Sequence, residues 1–279
     1  MSADFGRASA SGAGERARFA STPDEESLVT SFVASMPPVY RERFAPDVSR
    51  KHAQIVRQRG DATAHADLWQ ELPGGTAGVC VVADDRPGLL SLISIALTRH
   101  ELDVSAAQIY GRSLPDGGVE AVDLFWVSRS DVRRGQELGS PDRAEITAMG
   151  RTLASLIDSA QELPRNAAAR AVDRRASGDG ARRARFAYEA ETSGCVLIVE
   201  AADRPGLLLT VARTLFEVGT QIVRSDVITI RGRAVDRFHV TETDGSALSE
   251  SRRSQIELAI EQALEQPFRR TAYSASKIR

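Results

Sequence analysis

Asp85-Arg86-Pro87-Gly88-Leu89-Leu90 recurs as an identical hexapeptide at residues 203–208. Counted from Asp85 to Asp203, the two copies lie 118 residues apart. Each copy follows a short β-branched run, residues 78–83 or 195–200, which is typical of a buried strand. Each precedes apolar residues at helical spacing. A repeat of this length and context indicates a duplicated domain rather than a solenoid.

The hexapeptide has the composition of a tight strand-to-helix turn. Proline is tolerated in the first turn of a helix, and glycine adopts backbone angles that other residues avoid. We therefore expect a helix to follow each turn, with Asp85 and Asp203 placed to cap its start.

Two further strands and a second helix follow in each copy. Their predicted positions are strands at 104–112 and 119–128, then at 221–230 and 234–243, helices after Ser140-Pro141 and after Ser249, and a last strand at 268–273. The order βαββαβ predicts an α+β fold of two ferredoxin-like domains, each with an antiparallel sheet and two helices on one face.

The whole chain divides into five predicted segments. They are a disordered tail at 1–21, a short helical segment at 22–75, a first domain at 76–160, an Arg-rich linker at 161–185 and a second domain at 186–274. Residues 186–190 are also a candidate for the missing last strand of the first domain.

A second repeated pattern carries a family resemblance. Ala-x-Asp-x-Phe-x-Val occurs in the third strand of both copies, at 121–127 and 234–240. Together with Asp-Arg-Pro-Gly-Leu-Leu, it resembles the ACT domain, and more narrowly the tandem ACT pair of bacterial PII uridylyltransferase/uridylyl-removing enzymes. The resemblance covers residues 77–274 apart from the linker, and 32–52 resembles the helical segment that precedes that pair.

The resemblance implies a regulatory site for a small effector, usually an amino acid. In ACT domains the glycine-containing turn of one domain faces the second strand of a neighbour, and backbone N–H groups at the helix start suit a carboxylate. Gln221 keeps an amide at the start of the second strand, while the first copy has Asp103 there. We therefore favour the second site and expect the ligand near Gly206, Leu207 and Gln221. The expected ligand-binding residues are Asp85, Arg86, Gly88, Leu89, Leu90, Asp103, Asp203, Arg204, Gly206, Leu207, Leu208 and Gln221.

Catalytic motifs of the resembled enzymes are not found in this sequence. Nucleotidyl transfer needs paired acidic residues for Mg²⁺, and no Asp-x-Asp occurs. None of the four histidines is followed by Asp, which excludes a His-Asp metal site. We therefore predict no enzyme activity, no metal site and no cofactor.

Composition excludes several other classes of function. A net charge of −2 gives no strong field for nucleic acid, and no apolar stretch reaches the roughly 20 residues of a membrane span. Cys80 and Cys195 lie in predicted strands without Cys-x-x-Cys spacing, which favours reduced thiols in the cytoplasm.

The third strand of the first copy is apolar on both faces. Asp123 and Asp236 share a face with Phe125 and Phe238, so we expect a buried or edge hydrogen-bonding role for them rather than ligand contact. The opposite face, with Val122, Leu124 and Trp126, needs a cover. Domain or subunit packing would supply one, and we favour a homodimer.

Taken together, the sequence predicts allosteric regulation by an amino acid, glutamine first, in nitrogen metabolism, with a protein partner in nitrogen signalling. One alternative is a regulatory part or degenerate relative of a PII uridylyltransferase whose catalytic domains are absent or separate. A third class is an assembly module with empty sites.

Overall fold

The computed structural model describes residues 23–129, 139–160, 184–191, 194–204 and 206–265. The predicted tail at 1–21, the linker up to residue 183 and the predicted strand at 268–273 lie outside these ranges. Three helices open the described chain: α1 (Pro23–Ser35), α2 (Pro38–Arg43) and α3 (Pro46–Arg59). Each begins at a proline, which fits the first helical position because its missing N–H has no partner there anyway.

The rest of the chain consists of two halves with the same order of elements. The first contains β1 (Ala64–Leu72), β2 (Thr76–Asp84), α4 (Leu89–Arg99), β3 (Leu102–Ile109), the short β4 (Gly111–Ser113), β5 (Val119–Arg129) and α5 (Arg143–Ala160). The second contains β6 (Ala184–Glu191), β7 (Gly194–Ala202), α6 (Leu207–Glu217), β8 (Thr220–Ile230), β9 (Arg233–Glu242) and α7 (Glu250–Glu265). The predicted α+β class is confirmed, with antiparallel strand pairs throughout these ranges.

Each half carries its extra strand at its beginning, which corrects two predictions. The helical segment does not continue to residue 75 but ends at Arg59, and β1 follows as the strand that completes the first half's sheet beside β2. Residues 186–190 belong to β6, which pairs with β7 in the second half instead of closing the first sheet. The physical reason for the first correction is the turn at Gly74 and Gly75, whose positive φ values of 79° and 77° fit a tight hairpin.

All the strands form one sheet. Its order is β1-β2-β5-β3-β8-β9-β7-β6, with β4 paired to β5. The order in the second half is that of the first half reversed, so the halves meet at β3 and β8, where Ala106 lies opposite Ile228 and Ile109 opposite Ser225. Each half contributes to this junction the strand that follows its first helix, β3 after α4 and β8 after α6.

The described helices cover both faces of the first half and one face of the second. One continuous core contains buried residues of the sheet and of α4, α5, α6 and α7 from both halves. A second core lies on the other face of the first half, where Phe32, Met36 and Tyr40 pack with Val122 and Leu124. The predicted cover of the apolar face is therefore present, but α1–α3 of the same chain supply it, so this face gives no support for the predicted homodimer.

The sequence explains why none of the described helices covers the corresponding face of the second half. Where β5 has Leu124 and Trp126 after its aspartate, β9 has Arg237 and His239. Arg237 donates from Nη2 to Glu189 Oε2 at 2.5 Å, on strands that β7 separates. A charged face of this kind is stable in water. Among the helices of the described chain, none is long and apolar enough to cross a membrane.

Candidate functional site

The two repeated turns have the same backbone geometry. Gly88 and Gly206 are the N-caps of α4 and α6, with left-handed φ values of 81° and 76°. The N–H of Leu89 donates to Arg86 O, and that of Leu207 donates to Arg204 O, each at 3.1 Å. The predicted helix starts are confirmed. The predicted caps are wrong, because the Arg-Pro-Gly turn separates each aspartate from its helix and no side chain caps either start.

Each turn faces the other half of the molecule across the β3–β8 junction. A cavity of about 160 Å³ lies between the second turn, with Gly206 and Leu207, and the start of β3, with Asp103. A cavity of about 30 Å³ lies between the first turn, with Gly88, and the start of β8, with Gln221. We call them the larger and the smaller cavity.

This arrangement redistributes the predicted site residues. Asp103, Asp203, Arg204, Gly206, Leu207 and Leu208 line the larger cavity, and Asp85, Arg86, Gly88, Leu89, Leu90 and Gln221 line the smaller one. The structure therefore does not bring Gln221 to Gly206, although our preference for the second site combined them. They lie in different cavities because each turn meets the junction strand of the opposite half, β3 or β8, and not that of its own half.

Polar groups of opposite character meet across the larger cavity. On one side α6 begins, and the first N–H groups of a helix have no carbonyl partner within it. On the other side are Asp103 and the hydroxyls of Ser94 and Thr98. Both hydroxyls already donate to backbone carbonyls of α4, Ser94 Oγ to Leu90 O at 2.7 Å and Thr98 Oγ1 to Ser94 O at 2.8 Å. They therefore present acceptor lone pairs to the cavity.

An aspartate is buried at the base of each cavity. Asp236 of β9 lines the larger cavity and Asp123 of β5 the smaller, and each is only 1% exposed. Their predicted burial beside Phe238 and Phe125 is confirmed. Within the described residues, Oδ1 of each has no hydrogen-bond partner. An unpaired buried oxygen costs about 1–3 kcal/mol, so a ligand that donates to it would offset this cost.

Burial also changes the acidity of both groups. Desolvation, reinforced by the nearby charge of Asp203, raises the pKa of Asp236 to about 7, although the backbone N–H of Ile228 donates to it and opposes the rise. Desolvation, reinforced by Asp85, likewise raises the pKa of Asp123 well above its ordinary range. Asp236 therefore carries a partial charge near neutral pH, which suits an ammonium or amide donor.

The turn beside the larger cavity is anchored to the C-terminal helix. Arg204 Nη2 donates to Leu264 O at 2.8 Å, at the end of α7. This contact holds the start of α6 in place. Across the described ranges, no cluster of three or more His, Cys, Asp or Glu residues could hold a metal ion.

Sequence reasoning missed several residues of this site. It assigned Asp123 and Asp236 a hydrogen-bonding role only, and it did not single out Ser94, Thr98 or Phe216, which also line the cavities. The signal that could have found the helix residues was the 118-residue offset between the repeats. Once the halves pair, the helix that follows one turn faces the other turn, so residues at matching positions of the two helices line the two cavities.

Curated relatives match most of this chain but little of their own length. The chain is 30% identical over 235 residues to the bifunctional uridylyltransferase/uridylyl-removing enzyme of Phenylobacterium zucineum, and 29% identical over 231 residues to that of Caulobacter vibrioides. These matches cover 81% and 80% of this chain and 23% of each relative. The enzyme of the same name from Streptomyces coelicolor is 30% identical over 186 residues, which are 66% of this chain and 22% of that relative. The predicted resemblance to these enzymes is confirmed.

Two other comparisons add little. No protein-family model matches the chain. A crystal structure of an unknown protein from Galdieria sulphuraria covers 68% of this chain and 92% of that one, at 18% identity and a TM-score of 0.19, which is too low to indicate a shared fold.

Proposed function

We propose that the two halves are a tandem pair of ACT domains that binds a free amino acid, glutamine first, in the larger cavity. The observation that carries the proposal is the buried Asp236, whose Oδ1 has no hydrogen-bond partner within the described residues and which lines the same cavity as the start of α6. The cavity's volume of about 160 Å³ is below the roughly 300 Å³ at which drug-sized pockets begin, which suits a ligand of amino-acid size.

The chemistry of the walls matches the two ends of an amino acid. The N–H groups at the start of α6 and the guanidinium of Arg204 would receive the α-carboxylate. Asp236 and Asp103 would accept hydrogen bonds from the α-ammonium or a side-chain amide. Leu97 and Leu207 would pack against the aliphatic carbons.

The role that we propose is regulatory rather than catalytic. The relatives are named as bifunctional enzymes, but this chain spans only 23% of the length of the first two and has neither Asp-x-Asp nor His-Asp. We propose that it corresponds to a ligand-sensing part of such an enzyme, in the cytoplasm, and reports occupancy to a protein partner in nitrogen signalling.

A thermal-shift screen of the twenty amino acids tests this proposal. We expect a dissociation constant between micromolar and millimolar, which corresponds to a binding free energy of about 4 to 8 kcal/mol. When the ligand is in hundredfold excess over that constant, the free energy of unfolding rises by about 2.7 kcal/mol and the melting temperature by roughly 5 to 10 °C.

The control is Asp236→Asn, which removes the ionisable group at the base of the larger cavity but keeps its shape. We expect a smaller shift for the variant with the same ligand. The ligands are screened at about 10 mM, a concentration above every dissociation constant expected here. If no amino acid raises the melting temperature, the result contradicts the proposal and favours an assembly module with empty sites.

A further inference from the structure

The two cavities differ in volume although the turns beside them are identical in sequence. The larger is about 160 Å³ and the smaller about 30 Å³, room for about two water molecules at the roughly 10–15 Å³ that each needs. The turn glycines have nearly the same φ, and a buried aspartate lines each cavity. The opposite half also supplies a helix wall to each cavity, and the side chains on that wall differ between the two.

That wall is a helix face on which two residues differ. At the 118-residue offset, Ser94 and Thr98 of α4 correspond to Ala212 and Phe216 of α6. The first pair lines the larger cavity and the second pair lines the smaller. A hydroxyl side chain thus faces Gly206 where an aromatic ring faces Gly88.

The ring of Phe216 lies directly against the glycine. A Cβ atom built on Gly88 would lie 2.8 Å from both Cδ2 and Cε2 of Phe216. The ring therefore occupies the space over the turn backbone, where a ligand carboxylate would have to approach the first N–H groups of α4. Phe216 is also 48% exposed, so the core on its own does not require an aromatic side chain there.

We propose that Phe216 closes the smaller cavity, so that the chain binds one ligand in the larger cavity and keeps a second, repeat-related amino-acid site shut. This inference rests on the proposed function for the identity of the ligand, but not for the closure itself. Removal of the ring exposes a site with the same chemistry: the start of α4, Arg86, and Asp123 with its unpaired Oδ1.

Exchange of the two residues between the repeats tests the proposal by calorimetric titration with glutamine. We expect one site per chain in the wild type, two in Phe216→Thr, none in Thr98→Phe, and one in the double variant. Far-UV circular dichroism of each variant checks that the chain is folded. An unchanged stoichiometry in Phe216→Thr would overturn the proposal.

A second measurement needs no ligand. Ser91 lines the smaller cavity and is 6% exposed, and the native Cys80 and Cys195 are both buried. We expect methyl methanethiosulfonate to label Ser91→Cys several times faster when Phe216→Thr is added. Equal labelling rates would overturn the closure. Faster labelling in a chain whose wild type binds no amino acid would contradict the proposed function and leave the closure standing.

Discussion

The unpaired oxygen of Asp236 links the stability of this chain to its binding site. A carboxyl group buried beside Phe238, with a second carboxyl at Asp203 nearby, is more stable protonated than charged. The structure keeps that group beside the larger cavity. A buried ionisable group with a strongly shifted pKa is typical of a functional site, which is consistent with the ligand-binding role that we propose for Asp236.

Asp236 therefore predicts a dependence of stability on pH. Its pKa of about 7 in the folded chain lies above the ordinary value of 3.8. A raised pKa contributes stability that is complete below about pH 4 and is lost as the pH rises through about 7. We expect Asp236→Asn to be more stable than the wild type at pH 8, by on the order of 4 kcal/mol, and nearly equal to it at pH 4. Urea unfolding at both values measures this, and a difference that does not change with pH would refute it.

At the scale of elements, the N-terminal helices show how a duplicated unit has diverged. The same strand face is apolar in the first half, at Val122 and Leu124, and charged in the second, at Arg237. Helices α1–α3 pack on the apolar face of the first half. There Tyr40 is fully buried, and its hydroxyl forms a 2.8 Å hydrogen bond with His52 Nδ1. Which half receives the helices is therefore decided by a few side chains on two strands.

An exchange between the repeats tests this account. Leu124→Arg places the second half's residue in the first half's apolar contact, and we expect it to destabilise the chain by about 3 kcal/mol or more. The matched control is Arg237→Leu, which removes one surface ion pair and should change the free energy of unfolding by less than about 1 kcal/mol. If Leu124→Arg and Arg237→Leu both changed the free energy of unfolding by similarly small amounts, α1–α3 would not bury this face.

Local signals predicted the elements better than their partners. The repeated turns, the helices after them and the strand pairs that follow are readable because proline, glycine and apolar spacing act over a few residues. β1 was missed because Ala64, Ala66 and Leu68 form a weak apolar alternation, although the turn at Gly74 and Gly75 was a usable sign. The partners of β6 and Gln221 depend on contacts between distant segments, which no local pattern encodes.

At the scale of the whole molecule, the two halves form one continuous structure. They share a sheet through β3 and β8, and their helices contribute to one core. The N-terminal segment also reaches the second half, since Arg43 Nη1 donates to Asp226 Oδ1 at 2.6 Å on β8. Residues of both halves line the larger cavity, so the ligand that we propose there would contact both of them.

Cooperativity can be measured with the two tryptophans. Trp69 and Trp126 both lie in the first half, with ring centroids 5.7 Å apart, so fluorescence reports on that half while far-UV circular dichroism reports on both. We expect the two unfolding curves in urea to coincide within error because the halves share a core. Separate midpoints would show that the halves unfold independently.

A titration followed by backbone NMR tests most directly whether an amino acid binds between the halves in the larger cavity, as we propose. Glutamine added to the ¹⁵N-labelled chain should shift the amide signals of Gly206, Leu207, Leu208 and Asp103, and leave those of Gly88 and Gln221 in place. Shifts centred on Gly88 and Gln221 would contradict the account. So would the absence of shifts at about 10 mM glutamine, a concentration above the millimolar dissociation constant that is the weakest expected for such a site.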